Sequence, residues 1–126
     1  MREIKFRGKD CSDQWVYGDL IHKRHTKESV LIQDYTGLGS DVDIITIGQY
    51  TGLKDKNGKE IYEGDIMNDP TSKNVGVVTW NSVLCQFQLS WQNMHVAADI
   101  FFMVKCNSFV IGNIYDNPEL IKRKEK

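Results

Sequence analysis

Several things this sequence lacks exclude whole classes of protein. Three cysteines, Cys11, Cys85 and Cys106, are an odd number, widely spaced and without C-x-x-C pairing, so neither a disulfide framework nor a zinc or redox motif is present. Three histidines, His22, His25 and His95, form no cluster, and no metal or cofactor is expected. Charge of one sign is missing too: 16 basic against 17 acidic side chains leave a net charge of -1, which gives a polyanion or an anionic membrane no overall attraction. The longest apolar run, Ile100 to Val104, is far short of the roughly 20 residues that span a bilayer. The opening Met1-Arg2-Glu3 alternates polarity where a secretory signal would be basic and then apolar. These absences point to a reducing cytoplasm. What remains is 126 residues, 40% hydrophobic and 26% charged, enough to fold as one ordinary domain or as two small β units.

Apolar residues recur mostly at spacing two, the period of a half-buried strand. Ile4 and Phe6 share a face of a first strand, and Trp15 to Ile21 follows after a turn at Cys11-Ser12-Asp13 to make a hairpin. Val30 to Ile32 and Val42 to Ile47 predict another, around Gly37-Leu38-Gly39. Asn57-Gly58 predicts a type I′ turn with strands on both sides. Beyond it the pattern predicts strands at Ile61 to Asn68, Val75 to Trp80, Phe87 to Trp91, Phe101 to Lys105 and Phe109 to Ile114. Asn93 to Asp99 reads as a loop or a single helical turn. Asn117-Pro118-Glu119 carries the capping chemistry of a helix start, with Lys122, Arg123 and Lys124 in its last turns. Tyr35-Thr36-Gly37-Leu38 recurs as Tyr50-Thr51-Gly52-Leu53, which fits either two equivalent strand-to-turn corners or coincidence of common turn chemistry.

Candidate chemistry is sparse. Glu63 and Asp65 flank Gly64 and could aim two carboxylates into one cleft, the arrangement of a hydrolase that divides acid and base duties. No nucleophile, metal site or phosphate loop accompanies them, and the same residues equally read as a strand entry with a bulge. Gly37-Leu38-Gly39 lacks the third glycine and the strand-to-helix setting of a nucleotide fingerprint. Gly64-Asp65-Ile66, a polar loop, Gly76-Val77-Val78 and three further strands outline a small SH3-like barrel. Such barrels can bind nucleic acid, yet Lys54, Lys56, Lys59 and Lys73 are interspersed with Asp55, Glu60, Glu63, Asp65 and Asp69. Only His22 to Lys27 and Lys122 to Lys126 form basic patches, so nucleic acid is a secondary expectation.

Two stretches and an ending carry a family resemblance. Ile4-Lys5-Phe6-Arg7-Gly8-Lys9 with Trp15-Val16-Tyr17-Gly18 comes first. The longer motif runs from Gly48 and Gln49 through Tyr50, Thr51, Gly52, Leu53, Lys54, Asp55, Lys56, Asn57, Gly58, Lys59, Glu60, Ile61, Tyr62, Glu63, Gly64 and Asp65 to Ile66. The ending is Val110-Ile111-Gly112-Asn113-Ile114-Tyr115-Asp116-Asn117-Pro118-Glu119-Leu120. Together these resemble the YopX-like proteins of phages, prophages and bacteria. The resemblance implies a mainly β chain from a phage or integrated element, acting in a bacterial cytoplasm, and it brings no catalytic residues.

The expected fold is mainly β: N-terminal hairpins over residues 1–53, then a partly open SH3-like barrel with a short C-terminal α-helix over residues 54–126. The expected function is that of a non-enzymatic accessory protein working through protein contacts. A nucleic-acid module and a hydrolase using Glu63 and Asp65 are the alternatives. A homo-oligomer is expected as well, because a strand over Phe101 to Val104 would be apolar on both faces and a domain this small covers one.

Overall fold

The computed structural model describes residues 2–23, 29–91 and 97–121. The described chain is mainly antiparallel β and divides into two compact units, Met1–Gly52 and Leu53–Lys126.

The first unit is built from hairpins. β1 (Phe6–Lys9), β2 (Trp15–His22), β3 (Val30–Gln33) and β4 (Gly39–Val42) pair in succession, and β5 (Gly48–Lys54) returns beside β1. Registers follow from the turns: Lys9 faces Trp15, Gln33 faces Gly39 and Val30 faces Val42. Buried Val30, Ile32 and Tyr50 supply apolar packing. The innermost side chains of β1 are cations, however. Arg7 and Lys9 are buried, with the Arg7 guanidinium 4.5 Å and the Lys9 ammonium 5.3 Å from the centre of the Trp15 ring, while Ile4 stands exposed ahead of the strand. An aromatic face offsets the desolvation of both charges, and Lys9 Nζ adds an ion pair with Asp13 at 3.0 Å.

β2 changes partner midway. Through Gly18 it pairs with β1, and from Asp19 onward with β3. At that corner a Cβ on Gly18 would lie 2.0 Å from the Gln33 carbonyl oxygen and 3.1 Å from the Asp34 Cα, so only glycine admits this approach.

Three hairpin turns share one construction. Asp10, Asp34 and Asp55 each open a turn whose fourth residue lies in the left-handed region: Asp13 (φ 62°), Gly37 (φ 90°) and Gly58 (φ 79°). In each, the aspartate Oδ1 accepts from the backbone N–H groups two and four residues on, at 2.8–3.1 Å. The expected type I′ turn at Asn57-Gly58 is therefore corrected. Asn57 does not have a positive φ, and the Gly58 N–H closes on the Asp55 carbonyl at 3.0 Å, the geometry of a type I turn followed by a glycine bulge.

In the second unit, the chain runs from Leu53 through the Asp55–Lys59 turn to β6 (Glu60–Tyr62). A five-stranded sheet then forms from β7 (Asp65–Asn68), β8 (Val75–Asn81), β9 (Gln86–Trp91), β10 (Ala97–Asp99) and β11 (Val110–Asn113). Its order, β10-β9-β8-β7-β11, places the last strand beside the first, as in an SH3-like barrel, and leaves it open. Ile61, Met67, Val78, Leu89, Ile100, Met103 and Val110 form the core. Trp80 faces Phe87 across the β8–β9 pair, with ring centres 4.9 Å apart and edge to face.

Five expectations about elements are corrected by the structure. Ile61 to Asn68 is two strands, because Gly64 (φ 88°) turns the chain between them. Val42 to Ile47 is not a strand: β4 ends at Val42, and Ile44–Thr46 form a 3-10 helix capped by Asp43, whose side chain accepts from the Ile45 N–H. The expected strand Phe101 to Lys105 is the helix α1 (Ile100–Lys105). Asp99 caps it by accepting from the Phe101 N–H at 3.2 Å, and Ile100, Met103 and Val104 turn to the core. Asn107 (φ 70°) ends it, with the Ser108 N–H reaching back to the Met103 carbonyl at 3.0 Å. Phe101 to Val104 thus lacks the two strand faces on which the expected oligomer rested. Finally, Ala97–Asp99, within the stretch read as loop or helical turn, is a strand; residues 93–96 lie outside the described set. The expected C-terminal α-helix is, in its described part, the 3-10 helix Pro118–Ile121, and residues 122–126 lie outside the described set.

The repeated Tyr-Thr-Gly-Leu is coincidence. Tyr35 to Leu38 is a hairpin turn, whereas Tyr50 to Leu53 lies within β5.

Candidate functional site

The family-motif residues of the second unit hold backbone. Asp55 is 6% exposed; its Oδ1 serves the Asn57 and Lys59 amides, and its Oδ2 accepts from the Val110 N–H at 3.0 Å, fixing β11 to the Asp55–Lys59 turn. Tyr62, Gly64 and Asp65 make the next corner. Asp65 is 1% exposed and its Oδ2 accepts from the Tyr62 N–H at 2.8 Å, while Gly64 exchanges backbone bonds with Val78 and Ile114. Asn113 turns the chain after β11: its Oδ1 accepts from the Tyr115 and Asp116 amides at 3.0 and 2.9 Å. A Cβ on Gly112 would meet Asn117 Oδ1 at 2.5 Å. Tyr50 is buried, and the Thr51-Gly52-Leu53 segment includes a positive φ at Gly52 (87°) within β5. Glu63 and Asp65 are neighbours around Gly64, but the Asp65 carboxylate is turned to the backbone and enclosed.

His22 ends β2, exposed; His25, His95 and most of the two basic patches lie outside the described residues. Among the described residues no three His, Cys, Asp or Glu side chains are placed to share a metal ion. Cys11, Cys85 and Cys106 are exposed free thiols.

One concave feature among the described residues of the first unit carries no motif in the sequence. A groove of about 590 Å³ lies over the Gly18 corner. Glu3, Ile4 and Lys5, the β2 segment from Trp15 to Asp19, and Asp34, Tyr35 and Leu38 of the β3–β4 turn line it. Its volume suits a small ligand or a few residues of peptide. Lys5 is engaged, 3.4 Å from Glu3 Oε1 and 5.4 Å from the Tyr50 ring. Asp34 Oδ1 accepts from the Thr36 hydroxyl at 2.5 Å and from the Thr36 and Leu38 amides. The hydroxyl bond, with the two amides, holds the Asp34 carboxyl below the ordinary carboxylate range. Tyr17, Tyr35 and Leu38 expose large apolar surface at this groove, Tyr35 completely so (101%). The signal that could have found it is the pair Asp34-x-x-Gly37 and Tyr17-Gly18: an aspartate turn and a strand glycine that bring two tyrosines to one corner.

Residues 5–122 match the model of the family described as YopX protein. The crystal structure of protein EF1440 from Enterococcus faecalis is similar to this chain at 23% identity and a TM-score of 0.60, over 97% of this chain and 100% of that one. At that identity the likeness speaks for the fold alone. No curated protein matches the chain.

Proposed function

The chain belongs to the YopX protein family, and on that premise we propose that it is a phage- or prophage-encoded accessory protein of the bacterial cytoplasm, acting through protein contacts and without catalysis. The observation that carries this is the use made of Asp65. The one carboxylate pair that the sequence offers for acid and base work has its second member enclosed, with an oxygen bound to the Tyr62 amide, so it meets no substrate. Exposed rings and aliphatic side chains at the Gly18 groove, and Phe101 and Phe102 on α1, supply contact surface in its place. We extend the proposal to a second copy of the chain among those contacts.

The test is capture of the tagged full-length chain from phage-infected or prophage-carrying cells, with light scattering for self-association. A stoichiometric protein partner that re-forms with purified components supports the proposal. A hydrolytic activity of the purified chain that disappears in Glu63→Gln overturns it, as does recovery of DNA or RNA in place of protein.

A further inference from the structure

We propose that the groove at the Gly18 corner binds an arginine or lysine side chain carried on an extended segment of a partner protein. Asp19 and Asp34 meet the charge, and the Tyr17 and Tyr35 rings cover the aliphatic stem. This rests on the protein-contact proposal above and gives it a recognised chemistry.

Charge is the first argument. The ionisable groups lining the groove are Glu3, Asp19 and Asp34 against Lys5. Lys5 is held by Glu3 at 3.4 Å, so that pair cancels and two carboxylates remain. The Thr36 hydroxyl lowers the Asp34 carboxyl pKa, and the three turn bonds of Asp34 all fall on Oδ1, leaving Oδ2 clear of them. Asp19 faces Gln33 in the β2–β3 register, one residue from Asp34, and the bare Cα of Gly18 lets the Asp34 backbone close on β2. Asp19 and Asp34 both line the groove.

Aromatic surface is the second. The Tyr35 ring is wholly in water, so its area contributes nothing to the fold and gains by being covered. A ring beside a carboxylate is the pairing that receives guanidinium and ammonium groups, by cation–π attraction on the face and charge-assisted hydrogen bonds at the head. The same unit already uses it internally: Arg7 lies 4.5 Å from the Trp15 ring, and Lys9 combines that ring with Asp13. At about 590 Å³ the groove exceeds what one side chain fills, which is why the ligand is a segment of chain.

The test is a titration of the isotope-labelled full-length chain, at physiological salt, with the peptides Ac-Ala-Arg-Ala-NH2 and Ac-Ala-Glu-Ala-NH2, followed by amide NMR. The arginine peptide should produce saturable shifts at Tyr17 to Asp19, at Asp34 to Leu38 and at the Trp15 indole, and the glutamate peptide none. Asp19→Asn with Asp34→Asn should weaken binding about fivefold. The amide oxygen that Asp34→Asn introduces can still accept the turn bonds, and Tyr35→Ala, at a side chain the fold does not bury, provides a second variant that should weaken binding about threefold. Equal shifts with both peptides, shifts confined elsewhere, or unchanged affinity in both variants would overturn the inference. Failure here with partner capture intact removes the groove and leaves the contact proposal standing; success here with no partner captured does the reverse.

Discussion

Replacing Asp55 by alanine should unfold the second unit more readily than any other change at a turn. One carboxylate there accepts three backbone amides, two inside the Asp55–Lys59 turn and a third from buried Val110. The Val110 amide loses its partner without access to water, at a cost of roughly 1–3 kcal/mol. The two turn amides are partly exposed and recover some hydration, costing roughly 0.5–1.5 kcal/mol each. The sum is about 4 kcal/mol, a large share of the roughly 5–15 kcal/mol that holds a domain together. A drop of about 15 °C in melting temperature should follow. Asp55→Asn separates the contributions. Its one oxygen can keep the turn, but its NH2 group then faces the Val110 N–H, donor against donor, so about half the loss should persist. Asp10→Ala is the control: it removes the equivalent two turn bonds, which here are exposed, with no third amide, and should cost about 1–2 kcal/mol. Thermal and urea unfolding by circular dichroism measure all three. A melting temperature for Asp55→Ala within about 2 °C of the parent would refute the reasoning, as would equal stability of Asp55→Asn and the parent.

Gly18→Ala places a Cβ 2.0 Å from the Gln33 carbonyl, so the β2–β3 corner must shift; urea unfolding should show a loss of about 2–3 kcal/mol, whereas Gly58→Ala, which meets open space, should cost only about 1 kcal/mol of backbone strain. Asp99→Ala removes the cap of α1 and should cost about 1 kcal/mol, with faster amide exchange at Phe101 and Phe102; a strand in that place would show neither. Thr36→Val removes the main cause of the lowered Asp34 carboxyl pKa, so its NMR titration midpoint should rise toward the ordinary value. The sign follows from linkage: a depressed carboxyl stabilises the fold above its unfolded pKa and loses that contribution as pH falls through the folded one, so the parent should retain this turn to lower pH than the variant.

Much of the sheet architecture could be read along the chain, because β2, β8 and β9 alternate polarity and their ends carry turn residues. Ile100 to Val104 could not be placed by period, since a short run apolar at every position fits strand and helix alike. The deciding residue was Asp99, whose carboxylate reaches the Phe101 amide and whose position sets Ile100, Met103 and Val104 on one helical face. Ile44 and Ile45 misled for the same reason, with Asp43 as the overlooked cap. Asn57-Gly58 marked the turn correctly but not its type, which Asp55 decides by capturing the Asn57 amide from two residues upstream. Neither Tyr17-Gly18 nor Asp34-x-x-Gly37 reveals the groove by itself, because its tyrosines and carboxylates come from separate hairpins. Only the partner change of β2 at Gly18 brings them together.

The aspartate turns also bear on how fast the chain can fold. Each completes its hydrogen bonding within five consecutive residues, from Asp10 to Gln14, Asp34 to Leu38 and Asp55 to Lys59. Closing so short a loop is quick, and hairpins of this kind form on the order of 1–10 μs. Pairing β1 with β5, or seating β11 against Asp55 across 55 positions of sequence, pays the larger entropy of a long loop and comes later. The two oxygens of Asp55 therefore belong to different stages, Oδ1 to a local event that needs no tertiary structure and Oδ2 to the last strand's arrival. A single side chain links the early hairpin to the step that completes the sheet.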